Sequence, residues 1–300
     1  MIDEKFIDLF AYNSKLQDKL VAEREVVLTY ALEALFSADV LTQLAFKGGT
    51  CLRKMFFGST GRLSEDLDFT LYGESPEEGL ILDVINVFNQ ERWGITFSCN
   101  QYYETADGRS YGGEVTYSHS WNELSVFNIQ VSVRESPTLT VSHRDMLQQP
   151  YFKYLEFTPP KIPMLEPIEM TAEKIRAAYQ RIKVRDLYDL YSIATTPFDC
   201  EILRMLVVLK LWQVRDPFNP SAFFQNILSA DYDWDDLRRL IGTNIKIQPE
   251  KIINSIKSRY SALADLSDLE IEIIQDSSSG WNFELANKLR RKIRDRFYAP

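Results

Sequence analysis

The spacing of apolar residues differs between the two halves of this chain. From 93 to 158, short runs such as GITFSCNQYYE and LSVFNIQVSVRE are separated by Gly, Asn, Asp, Ser and Pro, which predicts a meander of strands. After TPPKIP at 158–163, apolar residues recur at helical intervals. The predicted helices are 167–181, 185–196, 200–215, 220–230, 233–241, 249–264 and 281–297. SSSG at 277–280 is predicted to be a turn or a mobile loop.

The first third of the chain mixes the two spacings. Residues 14–45 contain neither Pro nor Gly and predict a helix. FKGGT ends that pattern, and TCLRKMFFG is predicted to be a short helix. DLDFTLY alternates charged and apolar residues as a strand does, and 79–92 returns to helical spacing. We therefore predict an α+β fold, with a mixed α/β domain over 1–160 and a mainly helical domain over 161–300.

Composition excludes several classes of protein. An apolar fraction of 45% is ample for a core, and a net charge of −9 argues against nucleic-acid binding through overall charge, although a local basic groove stays open. Three Cys and two His make a disulfide framework and a Cys- or His-based metal site improbable. The N-terminus lacks the apolar core of a signal peptide, and no stretch approaches the roughly 18 apolar residues of a membrane span. We expect a cytoplasmic protein with no membrane partner.

A glycine pair and two aspartates form the first candidate site. On a strand, Asp66 and Asp68 point to the same face, about 7 Å apart, and a divalent cation such as Mg²⁺ would relieve their repulsion. Gly48 and Gly49 lack Cβ atoms, so a phosphate can approach the backbone closely, next to the free N–H groups of a helix beginning near Thr50. Together these features suit a nucleoside triphosphate with its metal. The alternative is an exposed, charged hairpin.

These residues also resemble a known family. FKGGTCLRKMF and GRLSEDLDFTL are similar to motif I of the polymerase-β-like nucleotidyltransferases and, more narrowly, of the AbiEii/AbiGii branch that includes MenT-type toxins. The resemblance implies a polymerase-β-like domain in which Asp66 and Asp68 are catalytic and bind Mg²⁺. The nucleotide-binding residues that we expect on this basis are Lys47, Gly48, Gly49, Thr50, Arg53 and Ser64.

A second cluster lies in MTAEKIRAAYQRIKVRDLYDLYS at 170–192. If the segment is helical, Lys174, Arg181, Arg185 and Asp189 fall along one stripe, which by itself predicts an ion-pair lattice on a solvated face. The same toxin branch carries a matching run. That resemblance implies that Lys174 contacts the triphosphate, that Asp186 faces the active site, and that both are catalytic. For Asp189 the expected alternative is an ion pair that holds Arg181 or Arg185 in place.

The chain departs from the branch at its usual third carboxylate. VFNIQVSV places Asn128 at the branch's lysine and Gln130 at its carboxylate, and an amide cannot bind Mg²⁺ through charge. Three explanations stay open. A neighbouring acid replaces the carboxylate, the chemistry runs without it, or the enzyme is impaired. The candidate acids are Glu114, Glu123 and Glu135.

The function implied by the resemblance is that of a toxin in a toxin–antitoxin or phage-defence system. It would transfer a nucleotide from an NTP to an RNA 3′ end, with a tRNA acceptor stem as the expected case and a co-encoded antitoxin as partner. The basic segment NKLRRKIRDRF at 287–297 is the best candidate for RNA backbone contacts, unless it is only a solvated amphipathic helix. Two alternatives stay open: a nucleotide-binding module without turnover, and transfer to a small-molecule or protein hydroxyl.

Overall fold

The computed structural model describes residues 2–73, 77–106, 108–134 and 136–299. The chain divides into two compact units. The first unit comprises Met1–Ser136, Val141–Leu165 and Arg238–Lys246, and the second comprises Pro137–Thr140, Glu166–Leu237 and Ile247–Pro300.

The first unit is built on a mixed β-sheet. Its strands, among the described residues, are β1 Leu44–Lys47, β2 Leu67–Leu71, β3 Glu91–Arg92, β4 Ile95–Glu104, β5 Ser110–His119, β6 Asn122–Ser132, β7 Ser142–Arg144 and β8 Ile162–Met164. They form one sheet in the order β3-β4-β5-β6-β2-β1-β8-β7. Strand β2 pairs antiparallel with β1 and parallel with β6, and β1 pairs parallel with β8. Strand β8 overlaps the end of TPPKIP, for which no strand was predicted.

Four helices accompany this sheet within the described residues: α1 Glu4–Asn13, α2 Lys19–Ser37, α3 Gly48–Leu52 and α4 Glu77–Val87. The single helix predicted over 14–45 is wrong. Lys15 and Asp39 have φ angles of +56° and +60°, which a right-handed helix cannot contain. Between them, Asp18 starts α2 by accepting a hydrogen bond from the backbone N–H of Leu20 at 2.9 Å.

The strand alternation separates a buried face of the sheet from a more open one. Leu67 and Phe69 of β2 are fully buried, and the Phe69 ring packs 5.3 Å from that of Phe46 in β1. Phe88, which follows α4, packs against Phe97 of β4 at 5.7 Å on the same side. Asp68 lies between Leu67 and Phe69 in β2 and projects to the opposite side of the sheet. The core therefore packs against one side of the strand, while the charged side chain lies on the open face.

The second unit is helical. Its helices, among the described residues, are α5 Pro167–Gln180, α6 Val184–Ile193, α7 Cys200–Trp212, α8 Pro220–Ser229, α9 Trp234–Arg238, α10 Pro249–Arg259, α11 Asp268–Ser279 and α12 Phe283–Phe297. Helix α7 is buried along its length, and its Lys210 ammonium lies 2.7 Å from Glu169 and 3.2 Å from Glu173 of α5. The mixed sheet and the helical unit confirm the predicted α+β class.

Helix α11 was not predicted, and the loop predicted at 277–280 is wrong because α11 continues to Ser279. A capping box starts this helix: Glu270 accepts hydrogen bonds from the backbone N–H and hydroxyl of Ser267. The SDLE sequence is the signal that could have predicted it. Arg204 of α7 contacts Glu270 at 2.9 Å and fixes α11 in place. Among the described residues, none of the helices combines the length and apolar composition of a transmembrane segment.

Candidate active site

The two aspartates of the DxD motif lie together on the open face of the sheet. Asp68 sits in β2 between Lys47 of β1 and Gln130 of β6, and residues paired in this way share a face. Asp66 comes just before β2, and its Oδ1 accepts a hydrogen bond from Asn128 Nδ2 at 3.1 Å. The sequence did not predict this contact, although Asn128 and Gln130 are spaced to project on one side of their strand.

The glycine turn lies directly against these carboxylates. Gly48 has a φ angle of +78°, and a Cβ atom built on it would lie 2.2 Å from Asp68 Oδ2. A Cβ on Gly49 would lie 2.4 Å from Arg62 Nη2 and 2.9 Å from Ser64 Oγ. Only glycine therefore lets the backbone of this turn approach the RLSED segment so closely. The turn and the aspartates predicted from two separate motifs form one continuous surface.

Thr50 and Arg53 are oriented towards the protein rather than towards solvent. Thr50 is fully buried, and its hydroxyl donates to the backbone carbonyl of Asp66 at 2.5 Å. Arg53 is 3% exposed, and its Nη1 donates to the carbonyl oxygens of Gly58 and Gly61. Thr50 and Arg53 therefore hold the segment between Gly58 and Asp66, which follows the glycine turn.

A buried ion pair connects the segment that follows the glycine turn to α2. After α3 the chain continues as a wider π-helix over Arg53–Phe57, which carries Lys54 into the interior. The Lys54 ammonium lies 3.1 Å from Glu25 Oε1 of α2 and donates to the Thr29 hydroxyl at 2.9 Å. Tyr151 also donates to Glu25, at 3.0 Å. Burial lowers the pKa of Lys54, and the carboxylate of Glu25 offsets only part of that effect.

The three candidates for a third carboxylate have different positions. Glu114 of β5 pairs in register with Asn128, so it shares the open face. Glu123 is five residues from Asn128 along β6, about 17 Å at the rise of a strand. Glu135 lies outside the described residues. Glu114 is therefore the candidate that the described sheet places on the aspartates' side.

The two aspartates fit a magnesium ion by the chemistry of their donors. Among the described residues, no group of three or more His, Cys, Asp or Glu side chains is arranged to hold a metal. Mg²⁺, however, usually binds one or two carboxylates and completes its shell with water and substrate phosphates. Asp66 and Asp68 match that requirement without a third acid.

The second predicted cluster forms within the helical unit. Lys174 Nζ lies 2.7 Å from Asp189 Oδ2 and 3.3 Å from Asp186 Oδ1. Arg181 Nε donates to Asp186 Oδ2 at 2.7 Å. Burial by itself would raise the pKa of Asp186, but the charges on Lys174 and Arg181 outweigh it and hold the pKa below its ordinary value.

The break predicted between helices 167–181 and 185–196 is present, so the stripe that one continuous helix would give does not form. Arg181 is extended, with a φ angle of −149°, so α5 ends at Gln180 and α6 begins at Val184. Asp189 contacts Lys174, and Arg185 forms a two-point contact with Asp236, at 2.7 and 2.8 Å.

With this geometry established, comparison with known proteins identifies the family. The model of a family described as nucleotidyl transferase AbiEii toxin, type IV toxin–antitoxin system, matches residues 30–260, which is more than half of the chain. The chain belongs to the AbiEii family. The predicted resemblance is therefore confirmed. The family is one of nucleotidyltransferase toxins from type IV toxin–antitoxin systems.

One solved structure has the same fold as this chain. MenT4, a nucleotidyltransferase toxin from Mycobacterium tuberculosis H37Rv, matches with a TM-score of 0.82 and 24% identity, over 98% of this chain and 100% of that one. JHP933 from Helicobacter pylori matches with a TM-score of 0.45 and 18% identity, over 94% of this chain and 97% of that one. A search of curated proteins found no match.

In the basic helix α12 of this AbiEii protein, part of the positive charge forms ion pairs with acidic side chains of the same chain. Arg296 of α12 contacts Asp199 and Glu201 at 2.8 Å each, at the start of α7. Lys288 and Arg291 of the same helix are exposed. Contact between this helix and RNA stays a prediction, with Lys288 and Arg291 among its exposed basic side chains.

Proposed function

We propose that this AbiEii protein transfers a nucleotidyl group from a nucleoside triphosphate to a hydroxyl at an RNA 3′ end and releases pyrophosphate. The observation that carries the proposal is the contact between the glycine turn and the DxD strand. The backbone of Gly48 is so close to Asp68 that a single Cβ atom would overlap the carboxylate. A phosphate on the turn and a cation on the aspartates would therefore be neighbours.

The residues divide the work between phosphates and metal. Gly48 and Gly49 would admit the β- and γ-phosphates to the backbone, and Ser64, whose hydroxyl lies beside Gly49, would donate a hydrogen bond to one of their oxygens. Asp66 and Asp68 would hold Mg²⁺, which when bound neutralises the charge that develops on the phosphates. Asn128 fixes one oxygen of Asp66 and so orients its carboxylate.

From the resemblance we retain Lys174 as a further phosphate-binding residue and Asp186 as a catalytic-site carboxylate. Asp186, which contacts both Lys174 and Arg181, would set the direction of the lysine. In the reaction, the hydroxyl oxygen forms a bond to the α-phosphorus. The bond from that phosphorus to the bridging oxygen breaks, and pyrophosphate leaves with the electron pair. The hydroxyl proton passes to solvent.

We further propose a tRNA acceptor stem as the RNA, a co-encoded antitoxin as partner and the cytoplasm as location. Membership of a toxin–antitoxin family supports the antitoxin partner. The tRNA acceptor and the location follow from the resemblance found in the sequence. The exposed Lys288 and Arg291 are the side chains we would test first for contact with the RNA backbone.

The test is incorporation of label. Purified protein is incubated with Mg²⁺, total cellular RNA and each labelled nucleoside triphosphate in turn, beside the Asp66→Ala/Asp68→Ala variant. Label should enter a tRNA-sized band, and the double variant should lose at least about 100-fold of the rate, since it lacks the groups that hold the metal at the developing charge. Asp83→Ala, which removes an exposed acid of α4, is the matched control and should behave as the native protein does.

The outcomes separate the remaining functions. Label in a small-molecule or protein fraction would replace RNA by that acceptor. Nucleotide binding without label in any fraction would indicate a binding module. Equal transfer by the native protein and the double variant would overturn the assignment of the aspartates.

A further inference from the structure

The open face of the sheet continues beyond Asp68 in a single row of residues. The strand register pairs Asp68 with Gln130, Gln130 with Gly112, and Gly112 with Tyr103. Directly paired residues project to the same side of a sheet. The Tyr103 side chain therefore shares a face with the DxD carboxylate, three strands away from it.

A β-bulge puts Tyr103 on that face. Before the bulge, Phe97 pairs with Tyr117 on the buried side, and both rings are in the core. The register of β4 against β5 shifts between Ser98 and Gln101, which inserts one extra residue. Because side chains alternate along a strand, this insertion turns the odd-numbered residues after it to the open face. Without the bulge, Tyr103 would point into the core.

Gly112 makes room for the ring. A Cβ atom on Gly112 would lie 2.4 Å from Tyr103 Cζ and 2.5 Å from its hydroxyl, so the phenol lies across the glycine. Gly112 itself is buried, while the tyrosine stays 54% exposed. One surface of the ring is thus supported by backbone and the other is open. Because the ring lies over Gly112 of β5, this flat aromatic surface is two strand spacings, roughly 9.5 Å, from β2.

We propose that Tyr103 is the stacking platform for the base of the bound nucleoside triphosphate, a site that rests on the proposed function. The order of groups across the sheet favours this occupant. The glycine turn that would take the β- and γ-phosphates lies on one side of Asp68, and Gln130 and Tyr103 lie on the other. A nucleotide with its α-phosphate at the aspartates extends its sugar past Gln130 and its base over the ring. Every base has a π-face, so stacking fits any of the four nucleotides.

The test is calorimetric titration of the full chain in a buffer that contains Mg²⁺. The ligands are nucleoside triphosphate analogues that carry a methylene group between the α- and β-phosphorus and, separately, inorganic triphosphate. Tyr103→Ala should bind the preferred analogue about 5- to 150-fold more weakly, the equivalent of ~1–3 kcal/mol for a lost base stack, and should bind inorganic triphosphate as the native protein does. Tyr103→Phe should keep native affinity, because the ring is retained.

Two further variants distinguish the platform from a general disturbance of the sheet. Tyr102→Ala removes the adjacent tyrosine, which is 63% exposed on the opposite face, and should leave both affinities unchanged. Gly112→Val keeps the tyrosine but fills the space over residue 112 in which its ring lies. This variant should reproduce the loss of affinity seen with Tyr103→Ala.

Native affinity of Tyr103→Ala for the analogues would overturn the proposal, as would an equal loss with Tyr102→Ala. A loss confined to the KM for RNA would also overturn it, because the platform would then bind the acceptor's base. The result is independent of turnover. A native protein that binds nucleotide through Tyr103 without transferring label would retain the platform while the transferase function fails.

Discussion

The closest approach in the candidate site gives its sharpest prediction, for Gly48→Ala. A Cβ atom at this position would lie 2.2 Å from Asp68 Oδ2, whereas ordinary contacts of a Cβ begin near 3.4 Å. The carboxylate must therefore move by about 1.2 Å. The φ angle of +78° adds a conformational cost of about 1–2 kcal/mol for any residue with a Cβ.

Both effects can be measured. A displacement of about 1 Å in a catalytic group can reduce the rate about 100-fold, so we expect Gly48→Ala to lose about that much transfer activity. Its free energy of unfolding in urea should fall by more than the roughly 1–2 kcal/mol of the φ angle, because displacing the Asp68 carboxylate adds to that cost. Both assays should be run at a temperature at which the variant remains folded.

Gly79→Ala is the matched control. A Cβ on Gly79, in α4, meets nothing within 4 Å, so this change should preserve activity and, as a helix substitution, add up to about 1 kcal/mol of stability. In an Asp68→Ala background the nearest obstacle to Gly48→Ala is gone, and the stability cost should fall towards that of the φ angle alone. Native activity and stability in Gly48→Ala would refute the close contact and, with it, the link between the two motifs.

Three further changes test other parts of the chain. Lys210→Met should cost about 3–5 kcal/mol of unfolding free energy in urea, because it leaves the buried carboxylate of Glu169 without its cation. Asp186→Asn should flatten the pH dependence of stability in acid: the folded pKa of Asp186 is depressed, so its contribution is present above the unfolded value of about 3.9 and is lost as pH falls through the folded one. Gln130→Glu should increase the thermal stabilisation by Mg²⁺, because it adds a carboxylate beside Asp68.

Each of these has an outcome that would contradict it. Lys292→Met breaks a more exposed ion pair and should cost at most about 1 kcal/mol, so an equal loss in Lys210→Met would mean that burial does not govern the cost. An unchanged acid slope in Asp186→Asn would show that its two cations do not depress its pKa. Weaker stabilisation of Gln130→Glu by Mg²⁺ would place the ion elsewhere.

Local patterns predicted the parts of the fold that local forces decide. Strands β4, β5 and β6 and most helices of the second unit were predicted because alternation and helical periodicity persist over many residues. The helix predicted over 14–45 was wrong at both ends because Lys15 and Asp39 are left-handed, a conformation that the spacing of apolar residues does not reveal. Strand β8 was missed since three residues are too few to show a period, and it exists through its pairing with β1.

The sequence by itself determined the chemistry of the candidate site. Glycines at 48 and 49 followed by aspartates at 66 and 68 allow a phosphate and a cation within one short segment, because backbone access and strand alternation are local properties. Their mutual contact was not determined in this way. It arises because β1 and β2 pair in a register that sets the glycine turn against Asp68.

Only the tertiary structure decided which distant residues join that segment. Asn128 reaches Asp66 because β6 lies beside β2, and Lys54 meets Glu25 because a π-helix turns it inward against α2. Tyr103 reaches the open face through a bulge, whose single extra residue leaves no distinct mark in the sequence. Strand order, register and bulges follow from packing over the whole sheet, whereas a one-dimensional pattern records only which side chains prefer to be buried.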